Sequence, residues 1–267
     1  MQRLLILAFG VFAYAVFLPT FLYLIAFVGN LPATALSQWL PWLPTLVPHT
    51  VDAGRATGPV ALAVLIDAGL ILAFGLQHSL MARLGFKRWL TRQLPPAAER
   101  SVYVLLASAM LLLLFWQWRP LPEVVWSVDA TGLQALAWIV FAAGFGVVLL
   151  STFLIDHFDL FGLRQSWNQF RGNPARPVQF VTPLFYRAVR HPLYLGFLLA
   201  FWSAPVMTQG HLLFAATMSA YVLVAIRFEE RDLLRQLGER YARYREQVPA
   251  LLPRLGARKT AGSAADG

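Results

Sequence analysis

The 267 residues are 58% hydrophobic and only 13% charged, too apolar and too weakly charged for a water-soluble domain of this size. Cysteine is absent, which excludes disulfides, thiolate metal sites and a cysteine nucleophile. The net charge of +9 is accounted for by the Lys and Arg of cytoplasmic loops in a polytopic membrane protein, and calls for no nucleic-acid partner.

Apolar runs of about 18–25 residues recur, the length of a bilayer-crossing helix. The first span is expected over about 4–28. Arg3 and the apolar run behind it have the outline of a signal peptide, but the run is long enough to span and no small-residue cleavage site follows, so it reads as a retained helix. A Pro-rich loop over 29–59 carries Trp39 and Trp42, suited to the headgroup interface. The second span, about 60–81, contains Asp67 and Gln77-His78-Ser79, and a basic segment over 82–100 follows. The third, about 101–118, ends in Trp116 and Trp118; the fourth, about 133–154, exits into Asp156-His157-Phe158-Asp159. An amphipathic linker over about 158–190 leads to a fifth span that starts at His191-Pro192 and ends near Val206. A sixth covers about 211–226, residues 227–247 read as an amphipathic surface helix, and 257–267 as a disordered tail.

Assigning alternate loops to opposite sides puts all of the 22 Lys and Arg except Arg55 and Arg119 on one side. The positive-inside rule makes that side cytoplasmic, with both termini there. The expected fold class is therefore all-α: one polytopic membrane domain over 1–256, with about six transmembrane helices plus a C-terminal amphipathic helix.

Polar chemistry concentrates where the fifth span begins and the sixth ends, two stretches that return to the same membrane surface. In Arg190-His191-Pro192-Leu193-Tyr194, Pro192 suits the first turn of a helix and holds His191 extended at its entrance. Free backbone N–H groups there attract a carboxylate, helped by Arg190 and His191; lipid-phosphate contact explains the same charges equally well. Tyr194, one turn in, can stack on a flat ring. Glu229-Glu230 are adjacent carboxylates near a membrane surface, costly unless paired or used. Arg227 and Arg231 offer local pairs; the functional reading has one Glu receive a ligand ammonium. Tyr241 and Tyr244 share a helical face and either close over the site or simply pack. Asp67 and His78 lie close to three turns apart in one span. His78, near the cytoplasmic end, is a candidate base or a structural hydrogen-bonder. Asp156-His157-Phe158-Asp159 is too weak a pattern to imply a metal. No nucleotide-binding glycine motif, zinc motif or nucleophile elbow occurs.

The ordered set Arg190-His191-Pro192-x-Tyr194-x-Gly196, Glu229-Glu230-x-x-Leu233, Gly238-x-x-Tyr241-x-x-Tyr244 and Val248-Pro249-x-x-x-Pro253 resembles the integral-membrane methyltransferases. These include isoprenylcysteine carboxyl methyltransferase and the phospholipid N-methyltransferases. Phe74-Gly-Leu-Gln-His78-Ser-Leu-Met-Ala-Arg83, Ile155-Asp-His157-Phe-Asp-Leu-Phe-Gly-Leu-Arg164-Gln and Gly210-His211-Leu-Leu-Phe are similar to the bacterial branch that methylates methanethiol to dimethyl sulfide, extending the likeness over about 60–253. The U-type proteins of nitrite and nitric oxide reductase clusters resemble the chain around His78, without an expected match to the Glu-Glu/Tyr ending.

The resemblance implies S-adenosylmethionine as cofactor, held by about 171–253 on the cytoplasmic side. Tyr186 and His191 to Tyr194 would line it, Gln179 to Val181 would follow its backbone, Glu230 or Glu229 would take its ammonium, and Arg227 would contact substrate. The implied substrate is a small volatile thiol that enters from the lipid, in a bacterial inner membrane. His78 is the first candidate for the base and His157 the second. Competing expectations are a lipid or prenyl methyltransferase, an NADPH-dependent sterol-type reductase with a similar C-terminal end, and a non-catalytic membrane subunit.

Overall fold

The computed structural model describes residues 1–54, 58–174 and 180–253. The expected tail over 257–267 and Gln179 lie outside the described residues. Helix α1 (Gln2–Val28) opens the chain. After a loop of single helical turns come α2 (Val60–Ala82), a short α3 (Leu84–Gln93), α4 (Pro96–Gln117), strand β1 (Val124–Ser127) and α5 (Thr131–Ile155). Helix α6 (Leu163–Arg171), α7 (Pro192–Trp202), β2 (Val206–Thr208), α8 (Gln209–Leu237) and α9 (Glu239–Gln247) follow. Helices α1, α2, α4, α5 and α8 are each long and apolar enough to cross a bilayer. The chain is a nearly all-α, multi-pass membrane protein.

Apolar residues cover both the inside and the outside of the bundle, as lipid requires. Leu65, Leu72, Leu76 and Leu80 of α2 face outward, while Phe27, Phe115, Trp118, Phe201 and Phe214 meet in the core. Trp39 and Trp42 are exposed in the loop after α1, as expected of interfacial residues. Helix α4 begins earlier than expected, because Pro96 occupies the first helical turn, where its missing N–H is not needed.

Helices α5 and α7 cross at two glycines. A Cβ on Gly144 would lie 2.7 Å from the Gly196 carbonyl oxygen, and one on Gly196 would lie 2.6 Å from that of Gly144. Only bare backbone permits this approach. It fixes the entrance of α7 against the end of the bundle that carries His78.

The fifth span is shorter than expected. Helix α7 has 11 residues, roughly 16 Å against a hydrocarbon thickness of about 30 Å. It stops at Trp202, three residues before Pro205, which cannot continue a helix. Beyond it, β2 pairs antiparallel with β1. His211 Nε2 donates to the Phe201 carbonyl at 2.8 Å, satisfying one of the carbonyls freed at the helix end. Helices α7 and α8 form an antiparallel hairpin in steady register: Trp202 Nε1 donates to Ser219 at 2.9 Å near one end, and His191 meets Glu230 at 3.1 Å near the other.

The sixth span is longer than expected. Helix α8 runs 29 residues to Leu237 without a break near Ile226. Residues 227–237 contain no Gly or Pro, so nothing stops the helix until Gly238, whose φ of 56° turns the chain into α9. The surface helix expected over 227–247 is thus two pieces, the first continuous with the span. That continuity carries Glu229 and Glu230 on a rigid rod.

Candidate active site

The segment before α7 is strapped to the C-terminal segment. The Arg190 N–H donates to the Pro249 carbonyl at 2.8 Å and the His191 N–H to that of Ala250 at 3.1 Å. Tyr244 donates its hydroxyl to the Tyr186 carbonyl at 2.6 Å, and Arg240 reaches the Phe180 carbonyl at 3.1 Å. The Phe180 ring lies edge-on to both Tyr241 and Tyr244. Hence the shared face of Tyr241 and Tyr244 on α9 grips residues 180–191. Val181 beside Phe180 is exposed.

This docking separates the two adjacent glutamates, because neighbours on a helix point about 100° apart. Glu230 is fully engaged. Its Oε1 accepts from Arg190 Nε at 2.8 Å and Nη2 at 2.7 Å and lies 3.1 Å from His191 Nε2; Oε2 lies 3.4 Å from Arg245 Nε. Arg190 also donates to the carbonyls of Arg245 and Val248. Both side chains of the Arg190–Glu230 pair are nearly closed off, at 9% and 11% exposure.

Glu229 is different. Its side chain is 45% exposed, with His191 Nδ1 at 4.0 Å. Its Oε2 accepts from the Tyr194 hydroxyl at 3.0 Å, and among the described residues its Oε1 has no partner. Tyr103, Tyr186, Tyr194, Tyr221 and Tyr241, from α4, the strap, α7, α8 and α9, all lie within electrostatic reach of this carboxylate. Burial, then Glu229, pushes the Tyr186 hydroxyl up. Burial also raises Tyr241, and raises Tyr244 to about 12 against the pull of Arg190. These phenols therefore stay protonated near neutral pH and act as donors. The Tyr241 hydroxyl is buried without a partner.

His78 on α2 borders the same cluster. Its Nε2 lies 2.7 Å from the Tyr103 hydroxyl, its ring stacks on Phe74, and its Nδ1 is buried without a partner. Tyr221 packs over Gly75, one turn from His78.

The structure thus brings together His78, Tyr186, Arg190, His191, Tyr194, Glu229, Glu230, Tyr241 and Tyr244 at one end of the bundle. It does not bring His157 there. His157 links α1 to α5: Nε2 lies 2.9 Å from the Tyr14 hydroxyl, Nδ1 lies 2.8 Å from Thr152 Oγ1, and its ring stacks on Phe153. Burial lowers the His157 pKa, partly opposed by Asp156. Arg227 is exposed and makes no ion pair among the described residues. Asp156 is taken up by Arg164 at 2.8 Å and by the Asp159 N–H. Asp67 is buried further along α2, its Oδ1 accepting from the Arg119 N–H at 2.9 Å.

A cavity of about 260 Å³ lies at the opposite end of the bundle, lined among others by Asn30, Asp52, Trp138 and His211. Its Asp52 already accepts from Asn30 and Thr208. The cluster around Glu229 lies at the other end from it. Sequence reading missed Tyr103 and Tyr221, whose signal was a phenol inside an apolar span near the level of His78. It also missed Arg245, a charge on an otherwise polar helix.

A family model described as NnrU protein matches residues 65–253. The match includes Glu229, Glu230, Tyr241 and Tyr244, so the expectation that the U-type likeness stops at the His78 region is corrected. Methanethiol S-methyltransferase of Mycobacterium tuberculosis is 49% identical over 253 residues, covering 95% of this chain and 98% of its own. The chain belongs to the methanethiol S-methyltransferase family. A second family member, methanethiol S-methyltransferase 2 of Bradyrhizobium diazoefficiens, is 48% identical over 260 residues, 96% of this chain and 93% of its own. Outside the methanethiol S-methyltransferases, nurim of Sus scrofa is 28% identical over 176 residues, 62% of this chain and 66% of its own. No solved structure matches the chain.

Proposed function

We propose that the protein transfers a methyl group from S-adenosylmethionine to methanethiol, giving dimethyl sulfide. The observation that carries this reading is Glu229: a carboxylate with a free oxygen, beside His191 and hydrogen-bonded by Tyr194, at the end of the bundle that holds His78. Family membership, with relatives named for methanethiol, supports the substrate.

The residues fit the cofactor. An ammonium needs an unneutralised carboxylate and Glu229 has one, while Glu230 is already balanced by Arg190. The orphaned Tyr241 hydroxyl offers a buried donor. When bound, S-adenosylmethionine would supply an electrophilic methyl group for transfer to the thiol sulfur and would leave as the neutral thioether. Glu229 would hold its ammonium, and Tyr186 and Tyr194 would line the site. Arg190 and Glu230 hold the strap in register. His78 takes the thiol proton at Nδ1, while Nε2–H donates to Tyr103. A general base of this kind contributes about 10²–10⁴-fold, and positioning several kcal/mol more. By the positive-inside rule, the basic loops support a site on the cytoplasmic side of the inner membrane, with both termini on that side.

Headspace gas chromatography of purified protein given methanethiol and S-adenosylmethionine tests this. Dimethyl sulfide from the wild type and none from Glu229→Gln is expected. No product from the wild type, or undiminished product from Glu229→Gln, would overturn the reading.

A further inference from the structure

We infer that Tyr221 sets the size of thiol the site accepts, by plugging the seam between α2 and α8 through which an apolar thiol arrives from lipid. The inference rests on the thiol-methylation reading above and deepens it.

Helices α2 and α8 run parallel toward the site end, and their seam is stitched at two levels. At the charged end, Arg83 Nη1 pairs with Asp232 at 2.7 Å and lies 5.0 Å over the Phe228 ring. Two turns further into the bundle, Tyr221 fills the seam. A Cβ on Gly75 would lie 2.8 Å from Tyr221 Cδ2, so the ring occupies the space that the glycine leaves. Its hydroxyl lies against the Ser79 side chain, and its edge meets Phe74 with ring centroids 6.0 Å apart.

The ring has two sides with different surroundings. Outside, Leu76 and Leu80 of α2 and Val224 and Phe228 of α8 are exposed apolar residues that face lipid in a membrane. Inside, Tyr221 lies within electrostatic reach of Glu229, Tyr103 and Tyr194. Tyr103 in turn touches His78. A single phenol therefore forms the wall between hydrocarbon and the cluster. A small apolar thiol partitions into hydrocarbon and needs no polar groups to guide it, so the lipid-facing seam is its direct route. A longer alkyl chain would have to lie where the ring now stands. Discrimination in apolar pockets is worth roughly 10–200-fold per methylene, so ring volume at this position governs chain-length preference.

The test compares kcat/KM for methanethiol, ethanethiol and 1-butanethiol with S-adenosylmethionine, thioether being measured by gas chromatography in proteoliposomes. Wild type should favour methanethiol. Tyr221→Ala should raise the butanethiol-to-methanethiol ratio by about tenfold or more, and Tyr221→Phe, which keeps the ring, should retain the wild-type order. Tyr221→Leu, which keeps an apolar side chain in the seam, should shift the ratio in the same direction by less, and serves where the alanine variant does not fold. An unchanged ratio in the Ala or Leu variant, or a Phe variant that behaves like Ala, would overturn the inference while leaving methyl transfer standing. No thioether from the wild type with any thiol would remove the reading beneath it, and the inference with it.

Discussion

Replacing each of the adjacent glutamates by glutamine should damage different properties. In Glu230→Gln, a nearly closed-off Arg190 loses the charge that two of its contacts serve, Nε at 2.8 Å and Nη2 at 2.7 Å, and His191 loses the charge 3.1 Å from its Nε2. Removing one partner of a buried pair costs about 3–5 kcal/mol. The amide oxygen of Gln still accepts, and Arg190 keeps the carbonyls of Arg245 and Val248, so the lower end, about 3 kcal/mol, is expected. Arg245, whose side chain is 51% exposed, adds little. In Glu229→Gln the side chain is 45% exposed and one hydrogen bond from Tyr194 is at stake, so stability should change by less than about 1 kcal/mol. Binding should show the reverse emphasis: Glu229→Gln loses the charge proposed to receive the cofactor ammonium, while any Glu230→Gln protein that remains folded keeps it. Thermal unfolding in detergent and isothermal titration with S-adenosylmethionine, run on both variants, separate the two effects. A Glu230→Gln protein as stable as wild type, or a Glu229→Gln protein that binds normally, would refute the division of roles.

His78→Gln should lower the methyl-transfer rate by about 10²–10⁴-fold with cofactor binding unchanged, as measured by single-turnover kinetics and titration. His157 should couple stability to pH. Its folded pKa is lowered by burial, against an unfolded value of about 6.5. The unfolded chain thus protonates first as pH falls, and stability is present above that value and lost below it. Unfolding temperatures at pH 7.5 and 5.5 should fall more for wild type than for His157→Gln. Gly144→Ala sets a methyl 2.7 Å from the Gly196 carbonyl, backbone that cannot step aside, and should cost about 1–3 kcal/mol; unfolding of this variant beside a Gly146→Ala control, whose Cβ meets nothing within 4 Å, checks it.

Much of the site was legible before any coordinates. Pro192 marked the entrance of α7, and Gly196 marked a close helix approach, which Gly144 completes. Tyr241 and Tyr244 share a face because their spacing is helical, and that face grips the strap. His78 was singled out as an ionisable group inside an apolar span, and it borders the cluster. Helix α8 outruns the apolar stretch that marks the sixth span, because its backbone hydrogen bonding continues until Gly238 breaks it.

Composition and hydropathic length by themselves determined a polytopic helical protein, since only the helix satisfies its own backbone in an apolar run of that length. The motif residues likewise determined that polar side chains gather where α7 begins and α8 ends. Tertiary structure alone decided which glutamate is spent and which is free, that His157 ties helices together away from the cluster, and that Tyr103 and Tyr221 pack beside His78 and Gly75. Helical spacing tells which residues share a face. It does not tell which neighbour that face meets, and a carboxylate is neutralised or left open by the neighbour: Glu230 met Arg190, and Glu229 did not.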